Sequence, residues 1–200
     1  VDIVIGTHRL LGKQIEFVRY DNRNDGVEAV NVARRLVSDG VVAVIGPAQS
    51  GNSIASAPVF ERGKIPMVVT TATNPYVTID QRSNKVRPFA FRPCFIDPFQ
   101  GTVAARFAVT DLGAKKGAIL YDVGSDYGQW LARYFEEAFV AKGGEIVAKE
   151  AFRTEELDYR AQLGKMKDLA PDVIFIPTSQ KEAAMAAKQA RDLGINAVLL

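Results

Sequence analysis

Cysteine and histidine are nearly missing from this chain of 200 residues, which has one of each, Cys94 and His8. A lone cysteine closes no internal disulfide and brings no second thiolate to a metal cluster. It reads either as a small buried hydrophobe or as a reactive thiol. A lone histidine, set beside Arg9 in a loop, supports neither a histidine-based triad nor a histidine metal site. Charge of one sign is scarce too. The net charge is +2, from 25 basic and 23 acidic residues, and Arg34-Arg35 and Lys115-Lys116 are pairs rather than runs. A nucleic-acid partner is therefore not expected. No apolar run nears the roughly 20 residues that cross a bilayer. No charged, apolar and small-residue leader of the signal-peptide kind opens the chain. The phosphate-binding patterns GxxxxGK[ST] and GxGxxG and the nucleophile elbow GxSxG do not occur. These gaps point away from an enzyme, and neither a cofactor nor a metal is expected.

The chain does have a regular rhythm. With 48% hydrophobic and 24% charged residues it can bury a sizeable core. Apolar runs at 15–20, 41–45, 66–70 and 89–92 read as strands. Helix-period segments lie between them at 30–37 and 54–62, and a helix opened by Asp97 or Pro98 runs to Leu112. The second half alternates strands at 117–121, 145–151, 172–176 and 197–200 with helices at 126–142, 158–169 and 181–193. Such alternation with short connections predicts an α/β fold of parallel sheets flanked by helices. A long polar loop after Thr70 breaks the rhythm once, and a crossing between two lobes is expected near Phe91 to Phe95. That gives residues 1–92 to a first lobe and residues 93–200 to a second. A single seven-stranded sheet is the alternative. Both ends read as cut: Val1 starts inside an apolar stretch, and Ala197-Val198-Leu199-Leu200 reads as a buried strand.

In open α/β sheets ligands bind beyond the carboxyl ends of the strands. The segment after 41–45 is Gly46-Pro47-Ala48-Gln49-Ser50-Gly51-Asn52-Ser53. Ser50 can donate its hydroxyl to a ligand there, or Ser50 or Ser53 can cap the helix that follows. After 66–70 comes Thr71-Ala72-Thr73-Asn74-Pro75, either a ligand cradle of hydroxyls and N–H groups or a plain hydrophilic loop. Together the two turns can cradle a carboxylate. After 117–121, Tyr127 stands at a helix start, where its ring could cover an ammonium by cation–π attraction. Pro177-Thr178-Ser179-Gln180 follows the next parallel strand. Asp21, Asp122 and Asp126 read as caps or turn residues rather than catalytic acids, and Asp97, Phe99 and Gln100 are candidates for the hinge side of a cleft.

Six runs, in order, resemble one family. They are Leu11 to Asp21, Ala29 to Ala33, Val44-Ile45-Gly46-Pro47, Thr70 to Pro75, Tyr121-Asp122 through Tyr127-Gly128, and Gln189 to Gly194. The chain is similar to the branched-chain (Leu/Ile/Val) amino acid-binding proteins of the type I periplasmic binding fold. The resemblance implies two Rossmann-like lobes, incomplete here at both ends, closing on a small amino acid-like ligand for delivery to an ABC transporter permease. It implies a periplasmic or extracellular location, with membrane association in a Gram-positive-type host and a signal peptide outside this chain. It maps the carboxylate contacts onto Ser50, Thr71, Ala72 and Thr73, and a second-lobe contact onto Tyr127. Where members often carry a second aromatic, this chain has Ser179, which completes the set of candidate ligand residues. The acid that meets the ligand ammonium is expected beyond Leu200. A ligand-sensing regulator or receptor domain of the same fold is the alternative function, and a flavodoxin-like enzyme is the reading the missing motifs oppose. With strands missing from its first lobe, the chain is expected to expose edges and apolar surface and to self-associate.

Overall fold

In the computed structural model, which describes residues 16–200, each element starts where a local signal places it. Asp25 caps α1 (Gly26–Ser38) by accepting the Glu28 N–H at 2.7 Å, filling one of the donors a helix start leaves open. Asp21 and Asn22 accept the N–H groups of Arg23 and Asn24, whose φ values of 52° and 56° make the tight turn before the helix. Ala29, Ala33 and Leu36, at helical spacing, form its buried face.

The strand expected at 15–20 does not form over Glu16–Tyr20, and Ile15 lies outside the described residues. A strand needs a neighbouring chain to satisfy its N–H and C=O groups. Here Phe17 and Val18 stay 49% and 41% exposed, and the segment is held instead by the Tyr20 hydroxyl donating to Asp39 at 2.8 Å. His8 and the matching run from Leu11 to Gln14 also lie outside the described residues.

The first sheet is parallel, in the order β1 (Val44–Ile45), β2 (Met67–Val68), β3 (Ala90–Phe91). Its strands are shorter than the sequence suggests, and before β1 the main chain is used elsewhere. Val41 N–H, for example, bonds back to Leu36 O at the end of α1. Helix α2 (Ser50–Gly63) starts four residues earlier than its apolar period indicates, and the left-handed residue that ends it is Lys64 rather than Gly63. The polar loop after β2 holds a 3-10 turn (Pro75–Val77) and one antiparallel bridge, Ile79 to Val86. Phe60, Met67, Val69 and Val77 are buried between these elements. Buried Arg87 ties α2 to the loop through Glu61 at 3.0 Å and Asp80 at 2.9 Å.

The second sheet is also parallel, in the order β5-β4-β6-β7. Its strands are β4 (Lys116–Asp122), β5 (Glu145–Phe152), β6 (Val173–Phe175) and β7 (Val198–Leu199). Helices α3 (Asp97–Arg106), α4 (Asp126–Ala141), α5 (Arg160–Leu169) and α6 (Gln180–Asp192) belong to the same half, α3 continuing as a π-helical stretch, Phe107–Asp111. Two separate sheets replace the single seven-stranded alternative.

Strand alternation sends Ile119 to one face and Leu120 to the other. Ile119 packs with Leu131, Phe135, Phe139 and Phe175, and Leu120 with Tyr159, Leu163, Met166 and Ile174. Phe135 stacks on Phe175 with ring centroids 4.2 Å apart. Burying each such phenylalanine contributes about 1.5–3 kcal/mol. The chain divides into two compact units, Val1–Cys94 and Phe95–Leu200.

Candidate ligand-binding site

In the first unit two strand-end turns are fastened to each other. Gly46, φ 112°, turns the chain after β1, a conformation that favours glycine. Gln49, extended and without a side-chain cap bond, is the residue that caps α2. Ser50 and Ser53 are therefore not caps. The Ser53 hydroxyl donates to Pro47 O at 2.9 Å and braces the turn from beneath. Ser50, 2% exposed at the first helical position, accepts the Asn74 N–H at 3.2 Å. Thr71, though exposed, donates its hydroxyl to Ala48 O at 2.9 Å.

These bonds set the polarity of the site. A hydroxyl has one proton to give. Ser50 already accepts from Asn74, so its own proton is directed elsewhere. The Thr73 hydroxyl, in a residue 6% exposed, is buried with no partner among the described residues. Buried hydroxyls ordinarily have partners, and leaving one unmade is costly. Hydroxyl donors on two turns bonded to each other suit an acceptor-rich group such as a carboxylate. Ala72, 1% exposed, adds a small apolar wall.

In the second unit Ser125 caps α4 by accepting the Gly128 N–H at 3.2 Å, which sets Tyr127 in the first turn. The Tyr127 hydroxyl accepts from the Gln100 amide at 3.2 Å. Burial pushes its pKa up, the nearby Asp97 charge adds to that, and the Gln100 bond opposes it, so the phenol stays protonated at neutral pH. Asp97 is fully buried at the first position of α3, with Ile96 as the cap. It is thus inside the helix rather than its cap, where the helix dipole favours an acid. Phe99 is 60% exposed. Asp122 anchors the loop after β4 by accepting the Gly124 N–H at 2.8 Å and the Thr154 hydroxyl. Ser179 is an exposed residue at the cap of α6 and makes no side-chain cap bond.

The structure thus brings Ser50 together with Thr71, Ala72 and Thr73 in the first unit. Tyr127 and Ser179 stand in the second unit, beyond the carboxyl ends of the adjacent strands β4 and β6. Among the described residues no group of three or more His, Cys, Asp or Glu side chains is arranged to hold a metal. Among them, too, no helix is long and apolar enough to cross a membrane. Cys94 is half-buried, with its thiol 3.9 Å from Ala72 O.

Sequence reasoning missed two residues. Asn74 links the turns through its main chain, and its side chain accepts the Tyr76 N–H at 2.9 Å to start the 3-10 turn. Arg92 reaches back from the end of β3 to the same loop. An Asn-Pro pair signals a turn, but no local pattern shows which carbonyls an arginine will meet.

Comparison with known proteins agrees with this architecture. A family model described as periplasmic binding protein matches residues 6–200. The Leu/Ile/Val-binding protein BraC3 of Rhizobium johnstonii is 29% identical over 191 residues, covering 96% of this chain and 50% of the relative. The crystal structure of a leucine binding protein, LivK, from Thermotoga maritima superposes with a TM-score of 0.88 at 39% identity, over 94% of this chain and 52% of that one. The substrate-binding protein LivJ of a branched-chain amino acid transporter from Streptococcus pneumoniae, in complex with isoleucine, gives a TM-score of 0.85 at 35% identity. The coverage is again 94% and 52%. The chain spans about half the length of these proteins. With a matching model over nearly its whole length and parallel sheets flanked by helices, the chain belongs to the periplasmic binding protein family.

Proposed function

We propose that this chain is part of an extracytoplasmic solute-binding protein that captures an amino acid or a similar small carboxylate and hands it to an ABC transporter permease. One observation carries the reading. The Ser50 hydroxyl accepts Asn74 N–H and so has its own proton to offer, and the hydroxyl of Thr73, the residue before Asn74, is buried with no partner among the described residues. In this reading Ser50 and Thr73 offer hydroxyls to the carboxylate, Thr71, whose hydroxyl is spent on Ala48 O, and Ala72 hold it through the main chain of their turn, and Tyr127 and Ser179 are ligand contacts of the second unit. Residues 1–92 are part of one lobe and residues 93–200 most of the other. The protein binds its solute without making or breaking a bond, and is not an enzyme.

Membership of the family supports the extracytoplasmic location, and relatives named for binding leucine, isoleucine and valine support an amino acid ligand. In a Gram-positive-type host the protein would be held at the membrane. The isolated chain is read as self-associating, supported by Phe95, Phe99 and Phe107, exposed by 56%, 60% and 44%. A monodisperse monomer in sedimentation would overturn that part.

Isothermal titration of the full-length protein against the twenty amino acids tests the main reading. Binding of at least one L-amino acid is expected. Heat only with an amide or with an aromatic acid, and none with any amino acid, would overturn the amino acid assignment.

A further inference from the structure

We infer that Arg92 is a positioning residue for the turn that carries Thr73, holding that residue through the carbonyls on either side of it. The inference rests on the carboxylate-binding role proposed above for Ser50 and Thr73.

Arg92 follows β3 directly, on the same side of the sheet as the two ligand turns. One guanidinium nitrogen, Nη1, donates to Ala72 O at 3.2 Å and to Asn74 O at 2.7 Å, and Nη2 reaches the Thr78 hydroxyl at 3.4 Å. Ala72 and Asn74 bracket Thr73. In a trans peptide the C=O and the following N–H point in opposite directions. Drawing the Ala72 carbonyl toward Arg92 therefore turns the Thr73 N–H away from it. The Asn74 N–H is meanwhile committed to Ser50. Arg92 thus orients the Ala72–Thr73 and Asn74–Pro75 peptides, and Ser50 orients the Thr73–Asn74 peptide between them, so the Thr73 side chain is held from both sides.

Its chemistry suits the task. The two carbonyls belong to residues only 1% and 0% exposed, so without Arg92 they would lose a donor that water does not readily replace. The turn would rotate to find other donors and carry Thr73 with it. The planar fork of donors is preorganised, whereas a lysine ammonium is a flexible point charge that does not reproduce it. The guanidinium also places a fixed positive charge behind the turn, which favours an anionic ligand.

The test is a double-mutant cycle in the full-length protein: parent, Arg92→Met, Thr73→Val and the double variant. L-isoleucine binding is read by calorimetry, and each protein is melted so that affinity is compared only where it is folded. Arg92→Met is expected to weaken binding about tenfold or more. In the Thr73→Val background the same change is expected to cost no more than about twofold, because the hydroxyl being positioned is gone. Arg92→Lys is expected to behave like Arg92→Met, and it takes that variant's place in the cycle if the methionine protein does not fold. A lowered melting temperature with parental affinity, or an equal loss in both backgrounds, would show a merely structural role and overturn the inference. If Ser50→Ala and Thr73→Val keep parental affinity, the proposed carboxylate site itself fails. If they lose affinity while the Arg92 variants keep it, only this inference fails. A parent that binds no L-isoleucine overturns the inference.

Discussion

The Ser50 hydroxyl accepts the Asn74 N–H across 3.2 Å, joining the turns that follow β1 and β2. The bond decides which way a side-chain proton points, and so what kind of ligand group the pair can meet.

Removing one of the two hydroxyls is therefore expected to reduce affinity without unfolding the protein. Thr73→Val keeps the branched shape and loses only the polar atom. A hydrogen bond to a charged acceptor contributes about 1.5–3 kcal/mol, so a loss of roughly tenfold to a hundredfold is expected. Titration calorimetry reads it directly, and unchanged affinity would take Thr73 out of the site.

Gly101 and Gly164 should respond oppositely to alanine. A Cβ at Gly101 would lie 2.7 Å from Tyr134 Cβ and 2.8 Å from Phe135 N, where α3 crosses α4. Backbone cannot step aside cheaply, so Gly101→Ala should destabilise by about 1–3 kcal/mol. At Gly164, inside α5, a Cβ meets nothing within 4 Å. Gly164→Ala should stabilise by about 0.5–1 kcal/mol through the lower entropy of the unfolded chain. Urea denaturation of both variants checks the pair.

Gln189 is 3% exposed, and its amide spans Tyr159 N and Leu157 O, each at 2.7 Å. Gln189→Leu preserves volume but strands a main-chain donor and a main-chain acceptor. A loss of about 2–4 kcal/mol is expected in the same denaturation measurement. A loss below about 1 kcal/mol would show that other partners take over.

Acid should weaken the second unit partly through Asp172. Its carboxylate accepts the N–H groups of Lys116 and Lys115, both at 2.8 Å, and these bonds hold its pKa below the ordinary 3.8. A pKa depressed in the folded state gives stability that is present above the unfolded value and lost as pH falls through the folded one. Asp172→Asn should flatten the dependence of stability on pH below about 4, where carboxylates titrate. An unchanged acid limb would remove Asp172 from the cause.

Much of the fold was legible because local signals and tertiary structure agree. The apolar run from Gly117 and the helical period from Asp126 each placed an element to within a residue or so. The failures share one cause. The apolar run at 15–20 reads as a strand, yet a ladder needs a neighbour, which a local pattern does not contain. In the candidate site, Ser50 and the Thr71–Thr73 turn were visible as small polar residues after strands. Arg92 and the polarity of Ser50 were not, because both depend on which distant atoms they meet.

The two sheets differ in how much main chain they commit. The strands of the first are each two residues long, while β4 and β5 run to seven and eight. Among the described residues, the half that carries Ser50 and Thr73 adds to these short ladders the side-chain ties of Thr71, Arg87 and Arg92. Single substitutions at those ties can shift the two turns one at a time while the longer ladder of β4 and β5 stays intact.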